Sequence, residues 1–453
     1  MAPAATPTTP PAAAECRWSR SQLAALVAIT VLAAALRRAG IEQWSLLDHE
    51  VATWRALTAP MTELWSSSEA LAPLAWLGMR ALGGVGLLPG FAEGWLRLPF
   101  AVAGIVAVPL LALLVRQRSG GAPALLAALL LALHPLHVAT SQTADPVGLA
   151  LTCGLAGMAA AAGGGRRAAW IAFAAAGLCA PIGWIFLAVA LLQSQAARVV
   201  PVASALALVL LPCTLGDLGL PLLVGAALGW LTMATAAPRF PVTLLVGVAS
   251  LVALLWPACH PVSLVVALPE LAAAAALGFV RLGAAARAHL PGSPRVVACG
   301  GAAAVLVVVV WLAVDTFLYA TVYRGRRPPW RLAADAVLAA SNDAPGCVVG
   351  AGAGASVLTC YLRPRHWRGD AEDPHPGRTV KALAAAGAPV ELAALAVPAG
   401  VRVLLVLRRD EQHALPQAAR ETLRRDFELL KVIESPQPRG DDTLYVHRRH
   451  AAR

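Results

Sequence analysis

The sequence predicts a polytopic α-helical membrane protein that carries a C-terminal α/β domain outside the membrane. Of its 453 residues, 58% are hydrophobic and 13% are charged, and the mean hydropathy is +0.67. Soluble domains carry about 25% charged residues, so a wholly soluble enzyme is excluded. Most arginines in residues 1–300 stand singly or in pairs between apolar runs, as residues that flank membrane spans do. Near residue 321 the composition changes abruptly to charged residues punctuated by Pro and Gly.

The apolar runs define the predicted transmembrane domain, residues 21–320. Residues 1–15 are of low complexity, and we expect residues 1–20 to form a disordered cytoplasmic N-terminus. A helix needs about 20 apolar residues to cross the hydrocarbon core, with a range of about 17–25. That length predicts about eleven spans, at 21–39, 97–115, 121–140, 145–162, 167–180, 181–197, 199–214, 219–236, 240–258, 262–280 and 297–320.

The distribution of arginines predicts the orientation. With the N-terminus in the cytoplasm, the arginines between the spans lie on the inner side, as the positive-inside rule requires. The exceptions are Arg37 and Arg38 at the outer end of the first span, which could snorkel to the interface. The short outer turns contain no Lys or Arg. An odd number of spans places the C-terminal domain, residues 321–453, on the outer face together with the Trp-rich loop 40–96. We therefore expect a multi-pass protein of the cell (inner or plasma) membrane, with the lipid bilayer as its first partner.

The segment Leu46-Leu47-Asp48-His49-Glu50 places three ionisable side chains about ten residues beyond the first span. One interpretation is a solvated loop, or an N-cap for a helix that begins at Val51. The other is an acid/base site, in which Asp48 or Glu50 takes the proton of an acceptor hydroxyl.

A second polar segment, Ser141-Gln142-Thr143-Ala144-Asp145-Pro146, lies on the same predicted face. Asp145 suits a helix cap, because Pro is favoured at the first helical position. Carboxylates from two loops are also what a divalent cation bridging a phosphate needs, so Asp48 and Asp145 are candidate metal ligands. His137, one turn after His134, either contacts a metal or phosphate or packs as a polar residue at the interface.

The order of these segments resembles the C-type glycosyltransferases of family 39, the protein mannosyltransferase and aminoarabinose transferase type. Trp44-Ser45-Leu46 leads into the acidic segment, Arg97-Leu98-Pro99 opens the next span and Ser-Gln-x-Ala-x-Pro ends a later span. In the C-terminal domain, Tyr323-Arg324 is followed by Pro329-Trp330-Arg331. The resemblance covers nearly the whole chain with short, degenerate motifs. It implies that a sugar moves from a polyprenyl-phosphate carrier to an acceptor on the outer side of the membrane.

The resemblance also implies roles for individual residues. Family members carry Asp-Glu in the first loop; here His49 stands at the Asp position, Glu50 at the Glu position and Asp48 one residue early. Thr143 and Asp145 replace the Glu and Arg of the second motif. Candidate catalytic residues are Asp48 and Glu50, and candidate substrate-binding residues are His49, Arg97, Gln142 and His137. The departures leave open whether the chain has kept the scaffold and lost the transfer.

The C-terminal domain shows mixed periodicity. We expect strands at Cys347–Gly350 and Val401–Leu407, helices at Arg378–Gly387 and Pro416–Asp426, and a closing strand pair at Phe427–Glu434 and Thr443–His447. The glycines near Gly350 lack the third Gly of a dinucleotide fingerprint, so no nucleotide cofactor is expected. The net charge of +11 is explained by membrane topology, so no nucleic acid is expected either.

Two alternatives stand beside the glycosyltransferase interpretation. One is an inactive family member that acts as a lipid-binding or assembly protein. The other is a transporter, which the absence of a convincing internal repeat and the gathering of acidic residues at one surface disfavour. Glu270, inside the tenth predicted span, is a further functional candidate because intramembrane carboxylates are costly. The sequence indicates neither the sugar nor the acceptor.

Overall fold

Helices of the membrane part are followed by a small sheet with its own helices. The computed structural model describes residues 18–42, 44–58, 72–84, 93–192, 262–289, 294–321, 328–341, 346–351, 354–362, 378–382, 401–434 and 443–450. The spans predicted at 199–214, 219–236 and 240–258 lie outside these residues.

The helices of the membrane part overlap the predicted apolar runs, except Asp48–Thr58 and Pro73–Gly84, which lie in the predicted outer loop 40–96. They are α1 (Arg20–Arg38), α2 (Asp48–Thr58), α3 (Pro73–Gly84), α4 (Glu93–Ser119), α5 (Gly121–Leu133), α6 (Pro135–Ser141), α7 (Val147–Ala162), α8 (Arg166–Cys179), α9 (Trp184–Leu192), α10 (Val262–His289) and α11 (Pro294–Thr321). In the described part of the chain, four helices are long and apolar enough to span a membrane. A fifth is added if α5 and α6, which meet at a bend of 63°, form one broken span.

Local sequence explains where α1 begins. Ser19 and Gln22 form a capping box, in which each side chain accepts a hydrogen bond from the other residue's backbone N–H. Such a box satisfies N–H groups that a helix start otherwise leaves without partners. The guanidinium of Arg116 lies 4.1 Å from the ring centre of Trp18 and so ties this helix start to the far end of α4.

Small residues let the membrane helices approach closely. The core around α4, α5 and α7 contains fully buried alanines, among them Ala107, Ala127 and Ala150. In a bilayer the hydrophobic effect does not drive helices together, and small residues at the interface allow the close packing that holds them. A Cβ at Gly104 would collide with the Ser141 side chain, so this glycine sets the separation between α4 and α6.

The C-terminal part contains a five-stranded mixed sheet in the order β2-β1-β3-β5-β4. Its elements are α12 (Trp330–Ser341), β1 (Gly346–Ala351), α13 (Ala355–Leu362), β2 (Arg378–Ala382), β3 (Val401–Arg408), α14 (Arg409–Ala414), α15 (Gln417–Asp426), β4 (Phe427–Ile433) and β5 (Leu444–Arg449). Strands β2, β1 and β3 are parallel, whereas β5 is antiparallel to both β3 and β4. Parallel and antiparallel strands in one sheet are typical of α/β architectures with an added edge strand.

The helix predicted over Arg378–Gly387 is wrong where the structure describes it. Arg378–Ala382 forms the strand β2, whose Val380 lies opposite Val349 of β1. The β-branched pair Thr379-Val380 favours a strand, and pairing with the buried β1 outweighs the helix-like spacing of apolar residues in this segment.

The two parts of the chain share one hydrophobic cluster. Leu46, Leu96 and Phe100 from the membrane part pack in the same cluster as Trp330 and Leu358 from the sheet part. The sheet part is therefore docked on the segment around Leu46 and on the first turns of α4, and this contact positions the site.

Candidate functional site

A buried ion pair joins the Asp48-His49-Glu50 segment to the first turns of α4. Arg97 Nε donates to Glu50 Oε1 at 2.7 Å and Arg97 Nη2 donates to Glu50 Oε2 at 2.8 Å. Both side chains are fully buried. The pairing is bidentate, which is the strongest arrangement of an arginine and a carboxylate. Glu50 lies in the first turn of α2, where a negative charge also meets the positive end of the helix dipole.

The remaining N–H groups of Arg97 hold the chain that leads into α2. Nη1 donates to the backbone oxygens of Ile41 at 2.7 Å and Trp44 at 3.0 Å, and Nη2 donates to that of Ser45 at 3.0 Å. A guanidinium has five N–H donors, and all of them here have acceptors within the protein. Arg97 was predicted to bind substrate. In this structure its donors hold the loop between α1 and α2 in place.

The Glu50 carboxylate also reaches the second polar segment. The backbone N–H of Ala144 donates to Glu50 Oε1 at 3.0 Å, and that of Leu47 donates to Oε2 at 3.0 Å. The buried Thr53 hydroxyl donates to the backbone oxygen of Ala144 at 2.8 Å. The structure thus brings together two segments that are 94 residues apart in the chain.

Gln142, also predicted to bind substrate, is fully buried against the end of α1. Its Nε2 donates to the backbone oxygens of Leu36 at 2.9 Å, Arg37 at 3.2 Å and Ala39 at 2.8 Å. The last carbonyls of a helix have no partners within the helix. Gln142 supplies those partners and fixes the second segment to α1.

Two other predicted site residues reach the surface. His49 is exposed, and Asp145 is half-buried. Asp145 Oδ1 accepts from the backbone N–H of Val147 at 2.9 Å, which is the helix-cap role that the sequence offered as one alternative. Asp48 is the first residue of α2, and its side chain lies outside the described part of the structure.

His137 lies in a separate buried cluster with Arg37. Arg37 Nη2 and His137 Nδ1 are 2.5 Å apart, and Arg37 Nη1 donates to the backbone oxygen of Ala33 at 3.0 Å. Because a guanidinium can only donate, His137 Nδ1 is the acceptor and the ring proton lies on Nε2. Both residues are almost completely buried, so His137 faces the helix bundle rather than the surface that carries His49.

The sheet part contributes Arg331 and Tyr361 to the same region. The Tyr361 hydroxyl accepts from the backbone N–H of Leu46 at 2.8 Å and donates to Glu93 Oε1 at 3.1 Å. Arg331 forms an ion pair with the same Glu93 oxygen. Burial and the neighbouring Glu93 carboxylate raise the pKa of Tyr361, so its phenol keeps its proton at neutral pH.

Arg331, Glu93 and Tyr361 are not equally recognisable in the sequence. Arg331 belongs to the Pro329-Trp330-Arg331 segment on which the resemblance rests. Glu93 stands four residues before Arg97 and therefore on the same face of the helix, a spacing that could have indicated it. Tyr361 lies in no motif, and only the three-dimensional structure assigns it to the site.

The described side chains around Glu50 do not fit a metal ion held by its carboxylate. Both Glu50 oxygens face N–H donors, and Asp145 Oδ1 caps α7. In the residues that the structure describes, no group of three or more His, Cys, Asp or Glu side chains could hold a metal. The pairing of Asp48 and Asp145 as metal ligands stays a prediction.

Glu270 lies apart from these contacts. It is buried, and its nearest described cation is Arg118, whose Nη1 is 3.6 Å from Glu270 Oε1. Arg118 and Arg97 stand near opposite ends of α4, about 30 Å apart at roughly 1.5 Å per residue. Glu270 therefore does not join the cluster around Glu50.

Comparison with solved structures identifies the fold. No protein-family model and no curated protein sequence matches the chain. The crystal structure of ArnT from Cupriavidus metallidurans in the apo state matches with a TM-score of 0.56 and 14% identity, over 95% of this chain and 99% of that chain. ArnT from the same organism bound to undecaprenyl phosphate matches with a TM-score of 0.54 and 15% identity, over 96% and 99%. The chain therefore shares the fold of ArnT over nearly its whole length.

Proposed function

We propose that this chain is a membrane glycosyltransferase that moves a sugar from a polyprenyl-phosphate donor to an acceptor on the outer face of the membrane. The observation that carries the proposal is the likeness to ArnT, a protein whose structure holds undecaprenyl phosphate and whose fold extends over 96% of this chain. A fold alone does not fix an activity. The proposal therefore also needs the residues at one end of α4.

The proposed site lies at the Arg97 end of α4, which we assign to the outer face. Arg116 and Arg118 stand at the other end of the same helix, and arginines that flank spans are most frequent on the cytoplasmic side. Arg97 is instead neutralised by Glu50 and is buried, so it does not oppose this orientation.

The residues divide into a supporting set and a reacting set. Glu50, Arg97 and Gln142 bind backbone atoms and hold the two polar segments together. His49 is exposed directly beside this framework, and Asp48 precedes it. We therefore propose Glu50 as a positioning residue and Asp48 or His49 as the base, rather than Glu50 itself.

The proposed transfer exchanges one C–O bond for another. The base takes the proton of the acceptor hydroxyl, and the acceptor oxygen forms a bond to the anomeric carbon of the sugar. The bond between that carbon and the phosphate oxygen breaks, and polyprenyl phosphate leaves with the electron pair. The loops would orient acceptor and donor for this step. Effective molarities of well-oriented reactions show that such orientation can lower a barrier by up to about 7–11 kcal/mol.

The second candidate is a lipid-binding or assembly protein that has lost the transfer. Thr143 and Asp145 stand where the resembled family carries Glu and Arg, and the described cap role of Asp145 is structural. A chain of this kind would bind the lipid phosphate without cleaving the sugar bond.

Binding and turnover, measured separately in lipid nanodiscs, distinguish the two candidates. Undecaprenyl phosphate is the binding probe, and release of undecaprenyl phosphate from its sugar-linked form, with a cell-envelope extract as the source of acceptor, reports transfer. We expect both in the wild type, and we expect Asp48→Asn or His49→Ala to abolish release while retaining binding. Glu42→Gln is the matched control, because this carboxylate is in the same loop and exposed. Binding without release would favour the second candidate, and absence of binding would refute both.

A further inference from the structure

The segment that leads into Asp48 and His49 is held from two sides. Arg97 of the membrane part binds the backbone oxygens of Trp44 and Ser45. Residues of the sheet part bind the same short segment, at Leu46 and Ser45. The position of the proposed reacting residues therefore depends on both parts of the chain.

Tyr361 makes the most direct of the contacts from the sheet part. Its hydroxyl accepts from the backbone N–H of Leu46 at 2.8 Å and donates to Glu93 at 3.1 Å. Leu46 is two residues before Asp48, and Glu93 is the first residue of α4. One phenol thus links α13, the loop and α4, and a partly buried phenol with both a donor and an acceptor partner is fixed in orientation.

Arg331 reinforces this link from α12. Its side chain forms an ion pair with Glu93 and donates to the backbone oxygen of Glu42 at 3.1 Å. Its backbone N–H donates to the Ser45 hydroxyl at 3.2 Å. The guanidinium lies 5.9 Å from the ring centre of Tyr361, within the distance at which a cation and an aromatic face attract.

Packing around these polar contacts leaves little room for movement. Leu46 is fully buried in a cluster that includes Val357 and Leu358, one helical turn before Tyr361. The ring of Trp330 lies where a Cβ at Gly354 would be. Interiors packed to this degree transmit a displacement rather than absorb it, so a shift of α13 would move Leu46 and the residues that follow.

We propose that Tyr361 is a positioning residue for sugar transfer: its hydroxyl holds Leu46 and thereby the backbone that carries Asp48 and His49, which makes the sheet part a component of the active site. That this positioning serves sugar transfer rests on the proposed function. Its structural half, that the Tyr361 hydroxyl fixes Leu46, stands independently of any activity.

The test compares Tyr361→Phe with Tyr445→Phe in the full-length protein in nanodiscs. Both variants lose one hydroxyl from the sheet part; the Tyr445 hydroxyl accepts from Arg409 Nε at 2.9 Å in an exposed contact. Hydrogen exchange at the Leu46 amide and the kinetics of undecaprenyl-phosphate release are measured on each. Because losing a part-buried hydrogen bond of this kind shifts an equilibrium by up to about tenfold, Tyr361→Phe should speed exchange at Leu46 by up to that factor.

The kinetic expectation is specific to positioning. In Tyr361→Phe, kcat should fall about tenfold or more while KM for the donor stays within about twofold, since misplacing a reacting group weakens the transition state more than substrate binding. Tyr445→Phe should match the wild type in both measurements. Unchanged exchange at Leu46 would overturn the proposal, and so would fast exchange accompanied by wild-type kcat.

A second variant covers the case in which Tyr361→Phe does not fold. Glu93→Ala removes the acceptor of the Tyr361 hydroxyl from the membrane part and leaves the residues of the sheet part unaltered. Because the phenol then loses the partner that orients it, exchange at Leu46 should speed up and kcat should fall in the same sense; wild-type values of both would overturn the proposal. If the wild type binds lipid but releases none, the proposed function fails, while exchange at Leu46 still decides whether Tyr361 fixes the loop.

Discussion

Replacement of Glu50 by Gln tests whether the ion pair with Arg97 holds the two polar segments together. The amide has nearly the shape of the carboxylate but carries no charge and has one acceptor oxygen instead of two. Glu50 Oε1 accepts from Arg97 and Ala144, whereas Oε2 accepts from Arg97 and Leu47. In either orientation of the amide, its NH2 group faces two N–H donors.

The size of the effect follows from burial. Both side chains of the pair are completely inaccessible to solvent, so Arg97 would keep a buried charge without its carboxylate. Breaking a buried pair by removing one partner costs about 3–5 kcal/mol. We expect the free energy of unfolding of Glu50→Gln to fall by about that amount, a large fraction of the roughly 5–15 kcal/mol that stabilises a typical domain.

Thermal and denaturant unfolding in detergent, followed by tryptophan fluorescence, measures this loss. Trp44 is buried and Trp54 partly buried close to the pair, so both contribute to the signal. Glu42→Gln is the control: its exposed pair with Arg38 should contribute less than about 1 kcal/mol. A Glu50→Gln variant within about 0.5 kcal/mol of the wild type would refute the reasoning, since surface substitutions already produce changes of that size.

Two further predictions follow from burial elsewhere. Gly104→Ala places a Cβ against the Ser141 side chain, whereas the Cβ of Gly148→Ala meets nothing within 4 Å. In the same unfolding assay, Gly104→Ala should lower the free energy of unfolding by about 1–3 kcal/mol. Gly148→Ala should leave it unchanged. Burial lowers the pKa of His447 from 6.5 to about 4, so below pH 6.5 the unfolded chain takes up a proton that the folded chain resists. Stability should therefore fall between pH 6.5 and pH 4, by about 2 kcal/mol at pH 5, and His447→Gln should flatten this fall; an equal pH dependence in both proteins would contradict the assignment.

The membrane helices could be predicted because the length of an apolar run in the sequence largely determines them. A run of about 20 apolar residues is nearly sufficient for a span, and the described helices α1, α4 and α11 follow their predicted runs closely. The strand at Arg378–Ala382 could not be predicted from its own residues, because pairing with β1 decides its conformation.

The site residues could be found by type but not by role. The acidic segment and the Gln142 segment were identified from sequence, and the structure brings them together through the Glu50–Ala144 hydrogen bond. Which of Glu50 and Asp145 caps, pairs or reacts depends on the direction of each side chain, which spacing does not encode. Tyr361 lies 315 residues from its partner Leu46, and no local pattern indicates such a contact.

Photocrosslinking with a photoactivatable analogue of undecaprenyl phosphate tests the central claim most directly. The protein in nanodiscs is irradiated with the bound analogue, and the labelled peptides are mapped by mass spectrometry. The account predicts label on the segments that carry His49 and Asp145, competed by unlabelled undecaprenyl phosphate. Competable label confined to the opposite end of α4, around Arg118 and Glu270, would contradict it.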